Sequence, residues 1–305
     1  KVTRSWGGND QQGLAYGLLD GGRGLLAAVL ASLGVLAFAS AFPLGYDSAT
    51  LTEKGVILRQ VIYGYTAATA AVGVMVWFTL RGIPAETETK HDSGWATALT
   101  QFRAVVKLKV VWLQATVLVC AYSSYKAFDQ YALFAVRGHG IDEIDAAQIV
   151  TAGAWTRPVA ALALGLLGDR FGISRMAVVC FVLLIISHSL FAFTGQALGS
   201  LSMILLNTLV TGVAIFGLRG LYFGLLEEGQ IPLAVTGTAV GLVSVIGYTP
   251  DVYVAAIAGY LIDQNPGLLG FQHLFVLLLA FSIVGALAAL AFTREATPSS
   301  VTSAH

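Results

Sequence analysis

Eight apolar stretches, each about 18 to 30 residues long and separated by short polar segments, dominate this sequence. They lie at 25–42, 57–80, 110–136, 148–167, 176–194, 199–218, 233–262 and 268–292. At about 1.5 Å rise per residue, a helix of that length crosses a hydrocarbon core about 30 Å thick. Lipid offers no partner to an open backbone N–H or C=O, so a spanning segment must be a helix or part of a closed barrel. The ten-residue alternating strands of a barrel are absent, which leaves an all-α integral membrane chain with eight spans. Composition agrees: 56% of the residues are hydrophobic and 11% charged, against about 25% charged in an average soluble domain.

The few charges are informative in their placement. Formal net charge is zero and no basic stripe with interleaved aromatics appears, so a nucleic-acid partner is excluded and the lipid bilayer is the expected surrounding. The segments at 1–24, 81–109, 168–175, 219–232 and 293–305 hold twelve of the 17 basic residues, and the opposite connections hold only Lys54, Arg59 and Arg137. By the positive-inside bias the first set, with both termini, is cytoplasmic. Cys120 and Cys180 both sit in apolar runs, where a thiol acts as a small hydrophobe and implies neither disulfide nor metal. The longest internal connection, "GIPAETETKHDSGWATALTQFRAVVKLK", starts polar and ends amphipathic, with Trp95, Leu99, Phe102 and Val106 on one face. It predicts an interfacial helix at 91–109 that joins a first unit, 1–90, to a second, 110–305.

"GLAYGLLDGG" at 13–22 is nearly rewritten as "GLYFGLLEEG" at 220–229. Each copy is expected in a cytoplasmic connection ahead of two spans. Chance likeness between two Gly/Leu-rich pieces is one explanation. The other is a six-span unit used twice, of which the first four spans precede this sequence.

A second motif bears on that choice. "GLLGDRFGISR", at 165–175, resembles the G-x-x-x-D-R-x-G-x-x-R signature of the major facilitator superfamily, with Gly165, Asp169, Arg170, Gly172 and Arg175 at the signature positions and Ile173 where a basic residue is common. The resemblance implies the major facilitator fold, with eight of its twelve helices present. It also implies a cytoplasmic gate at these five residues, which Arg219, Glu227 and Glu228 can join. "TGTAVGLVSVIGYTPDVY" from Thr236, with the preceding "EEGQIP", is similar to bacterial facilitators of unassigned substrate and to the organic-anion and phosphate-ester branch.

Charges inside spans cost about 2.5–3.5 kcal/mol on insertion scales, so each needs a partner, a wet cavity or a purpose. Arg157, followed by Pro158, stands near the centre of its span and is the foremost anion-binding candidate; a structural ion pair with a neighbouring carboxylate is the alternative. Lys126 and Asp129, three apart, share a helix face and can neutralise each other or meet a solute. Tyr122 and Tyr125 beside them make this span polar enough to line a cavity. Asp251, after Pro250, is a proton-coupling candidate with Asp129, or the counter-charge of Arg157. Asn207 is a further cavity candidate, whereas His188 and His273 read as packing or interfacial groups.

These features point to a carrier that works by alternating access, as symporter or antiporter, functional as a monomer. Its solute would be a small organic anion or a phosphorylated or sugar-like metabolite. No G-x-x-x-x-G-K-[ST] loop is present to bind ATP, so an ion gradient is the expected energy source, and no cofactor or metal is implied. A membrane enzyme would need a catalytic constellation such as H-E-x-x-H or G-x-S-x-G, and the five histidines are scattered. A receptor without turnover is the remaining alternative. The orientation predicts that, in intact cells, a membrane-impermeant maleimide labels Asp145→Cys and spares Lys107→Cys; the reverse pattern would invert the topology.

Overall fold

The computed structural model describes residues 11–41, 50–80, 95–198 and 200–296, and every regular element among them is helical. The elements are α1 (Gln12–Ser40), α2 (Leu51–Leu80), α3 (Trp95–Val106), α4 (Lys109–Ala127), α5 (Glu143–Phe171), α6 (Ile173–Phe193), α7 (Leu201–Leu221), the short α8 (Leu225–Glu228), α9 (Leu233–Gly247), α10 (Pro250–Gln264) and α11 (Leu268–Ala296). Six stretches among the described residues are long and apolar enough to cross a membrane: Gln12–Ala37, Glu143–Phe171, Ile173–Phe193, Leu201–Leu221, Val235–Gln264 and Leu268–Ala296. The pair Leu99–Val106 and Lys109–Gly138, bent by 78°, makes a seventh if taken as one span. The chain is thus an all-helical integral membrane protein. Helix α2 covers the stretch predicted at 57–80 but is not one of the six.

The first copy of the repeated stretch departs from expectation. Residues 13–22 lie inside the continuous helix α1, not in a connection, while the second copy runs from the end of α7 through a turn into α8. The reason is the spacing of the glycines. Gly13, Gly17 and Gly21 fall four apart and form one bare face that meets Gly165, Ala161 and Pro158 of α5. A Cβ at Gly17 would stand 2.5 Å from the Ala161 carbonyl oxygen, and one at Gly21 3.2 Å from that of Pro158. Close backbone approach of this kind is how helices associate in lipid, where no hydrophobic force separates protein from solvent. At the start of α1 the Asp169 carboxylate accepts the N–H groups of Gly13 at 2.7 Å and Leu14 at 2.8 Å, satisfying two donors that the helix itself leaves open.

By compactness the chain divides into Lys1–Ala28 with Leu99–His305, and Val29–Ala98. In the smaller unit, Thr50 and Glu53 form a capping box: Thr50 donates its N–H and hydroxyl to the carboxylate, each at 2.8 Å, and Glu53 N–H returns to the hydroxyl at 3.3 Å. These bonds hold the Glu53 carboxyl below its ordinary pKa. Tyr65 donates its hydroxyl to the Leu30 carbonyl at 2.6 Å.

In the larger unit α5 lies along α7, and α11 along both α6 and α4. After Ala127 the fourth helix continues in mixed winding, a 3₁₀ turn at Phe128–Gln130, an α turn at Tyr131–Leu133 and a π turn at Phe134–Gly138. That continuation delivers Phe134 to Phe191 and Phe275, the three ring centroids 4.8, 4.9 and 5.0 Å apart. Such ring contacts add about 0.5–1.5 kcal/mol each to packing. Some of the buried polar side chains nearby are partnered. Asn207 donates to the Ser187 carbonyl at 3.1 Å, Ser187 and Thr211 share a hydrogen bond, and His188 Nδ1 meets Ser282 Oγ at 3.0 Å. Cys120 and Cys180 are both free and buried.

Of the stretch predicted as an interfacial linker helix at 91–109, the described residues form α3, Trp95–Val106. Leu99 and Phe102 are exposed, and the bend into α4 is tied by Trp112 Nε1, which donates to the Val106 carbonyl at 2.8 Å. The tail from residue 297 and the polar part of the linker up to residue 94 lie outside the described residues. Gly17→Leu is expected to destabilise the detergent-solubilised protein by about 1–3 kcal/mol through overpacking. Gly64→Ala, where a Cβ meets nothing within 4 Å, should stay within about 0.5 kcal/mol of the parent. Thermal melting of the two variants checks both.

Candidate functional site

A carboxylate deep in a helical bundle requires a cation, and Asp20 has two. It lies on α1, 7% exposed, carried inward by the same glycine-lined helix that packs on α5. Arg157 of α5 grips it side-on with one edge of its guanidinium, Nη2 to Oδ1 at 2.8 Å and Nε to Oδ2 at 3.2 Å. Gly24, one turn on, faces the aliphatic stem of Arg157, where any side chain would collide. Arg219, near the end of α7, reaches the same Oδ1 only at 3.5 Å. Its guanidinium lies over the Tyr125 ring at 4.2 Å and nearer the edge of Tyr122 at 5.8 Å. Its Nε and Nη1 are buried with no hydrogen-bond acceptor among the described residues.

Beside this trio opens a cavity of about 560 Å³ lined by Tyr16, Leu19, Asp20 and Arg23 of α1, Tyr122 of α4, Arg219 of α7, the turn residues Tyr222 and Phe223, and Val240, Tyr248 and Asp251. The last two owe their position to an interruption. Between α9 and α10 the chain leaves regular α winding at Tyr248 and Thr249, and the bonds Asp251 N–H to Tyr248 O at 3.1 Å and Val252 N–H to Thr249 O at 2.9 Å tighten the turn. Pro250 opens α10, where its missing N–H is not needed. Irregular backbone at membrane depth is tolerated where it borders a cavity.

A second charge group reaches the cavity through Asp251. Lys126 Nζ lies between two carboxylates, Asp129 at 3.5 Å and Asp251 at 3.4 Å, and Tyr122 donates its hydroxyl to Asp251 at 3.1 Å. Tyr122 and Tyr248 pack edge to face at 4.8 Å. The cavity therefore has a cationic pole, two guanidiniums around one carboxylate, and an anionic pole, two carboxylates around one ammonium.

The sequence candidates fall into three places. Tyr122, Asp251 and Arg219 stand on the cavity wall, with Tyr125, Lys126 and Asp129 directly behind it. Arg157 is not on the wall: it is the structural partner of Asp20, and Asp251 is the partner of Lys126. Asn207 is tied into the α6–α7 contact through Ser187. The signature residues form a different cluster. Gly165 and Asp169 receive the start of α1, Gly172 takes φ +100° to end α5, and Arg170 lies over Phe171 at 5.3 Å. Glu228 joins this cluster by accepting Ser174 N–H at 2.7 Å, while Arg219 belongs to the cavity. Glu227 is held by contacts of its own, and Arg175 lays its stem beside Gly172.

Asp20, Tyr16 and Arg23 escaped sequence reasoning because "GLAYGLLDGGRG" reads as a loop, and Tyr222 and Phe223 because they stand in the turn of the second copy, "GLYFGLLEEG". The signal that could have found them is the four-residue glycine period, which keeps Asp20 and Tyr16 on helical neighbours of one face. Among the described residues no three His, Cys, Asp or Glu side chains converge as a metal-binding set.

No family model matches the chain. It is 25% identical over 308 residues to inner membrane protein YihN of Escherichia coli K12, an alignment that covers 97% of this chain and 69% of YihN. It is 23% identical over 287 residues to inner membrane protein YqcE of the same organism, covering 91% of this chain and 64% of YqcE. The chain thus spans about two thirds of each of these relatives.

Removing one partner from a buried, bonded ion pair leaves an uncompensated charge, at a cost of about 3–5 kcal/mol. Asp20→Ala should therefore lower thermal stability by about that much, and adding Arg157→Leu should restore a large part of it. Additive losses in this double-mutant cycle would mean that the two residues do not interact.

Proposed function

We propose that this protein is a secondary active transporter of the inner membrane, of the major facilitator type, moving a small organic anion or a phosphorylated or sugar-like metabolite by alternating access. The observation that carries the reading is the cavity. Ionisable and aromatic side chains from α1, α4, α7 and α10 converge on it, Asp20 and Tyr222 among them buried, where a bundle made only to be stable would close with apolar packing. Asp20 with Arg157 and Arg219, and Asp251 with Lys126 and Asp129, form two ionic groups at the cavity, an arrangement suited to exchanging partners with a charged solute. Both aligned E. coli relatives are inner membrane proteins, which supports the same location here.

In this reading eight of twelve helices are present, the last two of a first six-helix bundle and all of a second. The cavity is then the wall that the second bundle and the end of the first offer to the solute. The Gly165–Arg175 junction of α5 and α6 acts as the cytoplasmic gate: Asp169 caps the start of α1, which belongs to the other bundle and must part from it if the bundles rock, while Glu228 braces the start of α6 within the second bundle. Asp251 and Asp129, competing for Lys126, are the coupling pair: a proton on either carboxylate hands the ammonium to the other. The protein works as a monomer with both termini in the cytoplasm.

Counterflow in proteoliposomes tests this reading. Vesicles preloaded with an unlabelled solute should accumulate its labelled form faster than empty vesicles, for at least one of a panel of organic acids, sugar phosphates and sugars, and an imposed proton gradient should raise uptake further. A protein that binds a solute but shows no counterflow would be a receptor.

A further inference from the structure

Arg219 differs from every other buried charge in the larger unit. Arg157 spends its Nε and Nη2 on Asp20 at 3.2 and 2.8 Å, and Lys126 sits between two carboxylates. Arg219 has only the long 3.5 Å approach to an oxygen already taken by Arg157. Its Nε and Nη1 have no acceptor among the described residues although its side chain is only 10% exposed. Two guanidiniums against one carboxylate leave one formal positive charge at this pole, and an unpaired charged donor out of water is costly. The ligand such a group gains most from is one that supplies two oxygen acceptors in a fork.

Its surroundings prepare it for that role. Tyr125 stacks beneath the guanidinium at 4.2 Å, fixing its plane, and Arg219 itself borders the cavity. Nε and Nη1 are covered by protein in this conformation, so an anion reaches them as the guanidinium turns off Asp20 toward the cavity. Asp20 does not follow, because Arg157 holds both of its oxygens. At the other end Asp251 is half exposed and, with Asp129, outnumbers Lys126 by one formal charge. The two poles are bridged by Tyr122, which touches Arg219 through its ring and Asp251 through its hydroxyl.

We infer that Arg219 is the anchor for the oxyanion of the solute, a carboxylate, phosphate or sulfonate, and that Asp251 accepts hydrogen bonds from hydroxyl or ammonium donors elsewhere on the same molecule. The assignment rests on the carrier reading and deepens it by naming the substrate class, a compact molecule with an oxyanion and a hydrogen-bond donor about one tyrosine's length apart. Arg157 and Lys126 are the structural counter-ions of this site, not its contacts.

Binding, measured apart from transport, tests the inference. Probes are matched pairs: gluconate against glucose, 3-phosphoglycerate against glycerol, and taurine against ethylamine, with inorganic phosphate and sulfate as bare oxyanions. In thermal-shift titrations of the full-length protein in detergent, anionic members should raise the melting temperature and neutral or cationic members should not. Arg219→Gln should weaken the best anion by about 30-fold or more. Arg219→Lys should recover part of that loss, keeping charge but not the fork. Asp251→Asn should weaken gluconate more than it weakens phosphate. In case Arg219→Gln does not fold, phenylglyoxal modification of the unaltered protein is mapped by peptide mass spectrometry, and the best anion should protect Arg219 more than Arg23. Equal response to both members of every pair, no response to any oxyanion, unchanged affinity in Arg219→Gln, or protection confined to Arg23 would each overturn the assignment. Anion binding without counterflow would leave the anchor standing and remove the transporter reading.

Discussion

The structure turns on a single carboxylate held out of water. Asp20 is 7% exposed, at the edge of the cavity, and two guanidiniums from different helices answer it. The bidentate bond to Arg157 fastens α1 to α5 at mid-helix, where bare glycine faces already bring the two backbones together. The second guanidinium is then in excess. A buried ion pair is a poor source of stability, because desolvation consumes most of the Coulombic gain. A triad with an unbalanced member has a different use: it holds a charge ready for something that arrives.

Electrostatics of this kind constrain the rest of the larger unit. The aromatic cluster of Phe134, Phe191 and Phe275 and the hydroxyl contacts around Ser187 and Thr211 close one part of the bundle with buried ring and hydroxyl packing. The cavity side is built the other way, with broken helical winding at Tyr248, tyrosines that offer both a ring and a hydroxyl, and charges that share partners. The carboxylates at helix ends form a third device. Asp169 and Glu228 bind backbone N–H groups of helices to which they do not belong, tying α5 to α1 and α8 to α6.

Much of this was legible in the sequence, for reasons that differ from element to element. The all-helical membrane class followed from hydrophobic run length, which lipid thickness dictates directly, whereas six stretches of the described residues, or seven with the bent pair, meet the length and apolarity of a span where eight were expected. The polar character of "YSSYKAFDQY" marked the helix that carries Tyr122, Tyr125 and Lys126, because so many polar groups cannot all face lipid. Arg157 was visible as a buried charge, but its partner was not. Pairing is a tertiary fact, and Asp20 lay in a glycine-rich stretch that looked like a turn. Arg219 stood out as a charge near a helix end and was grouped with Glu227 and Glu228, its sequence neighbours; a helix turn sends them to opposite sites. Local spacing predicts which face a residue occupies, whereas the identity of what it meets depends on how helices cross.

If buried charges make this cavity a solute path, its walls must be reachable by water. The direct measurement is the reactivity of Leu19→Cys and Val240→Cys, two uncharged wall positions, in a background where Cys120 and Cys180 are alanine, toward an impermeant thiol reagent applied from each side of the membrane. Reaction from one side in one conformation and from the other when a gradient is reversed is the predicted outcome. Cysteines silent from both sides under every condition would mean a sealed core, and the account would fail.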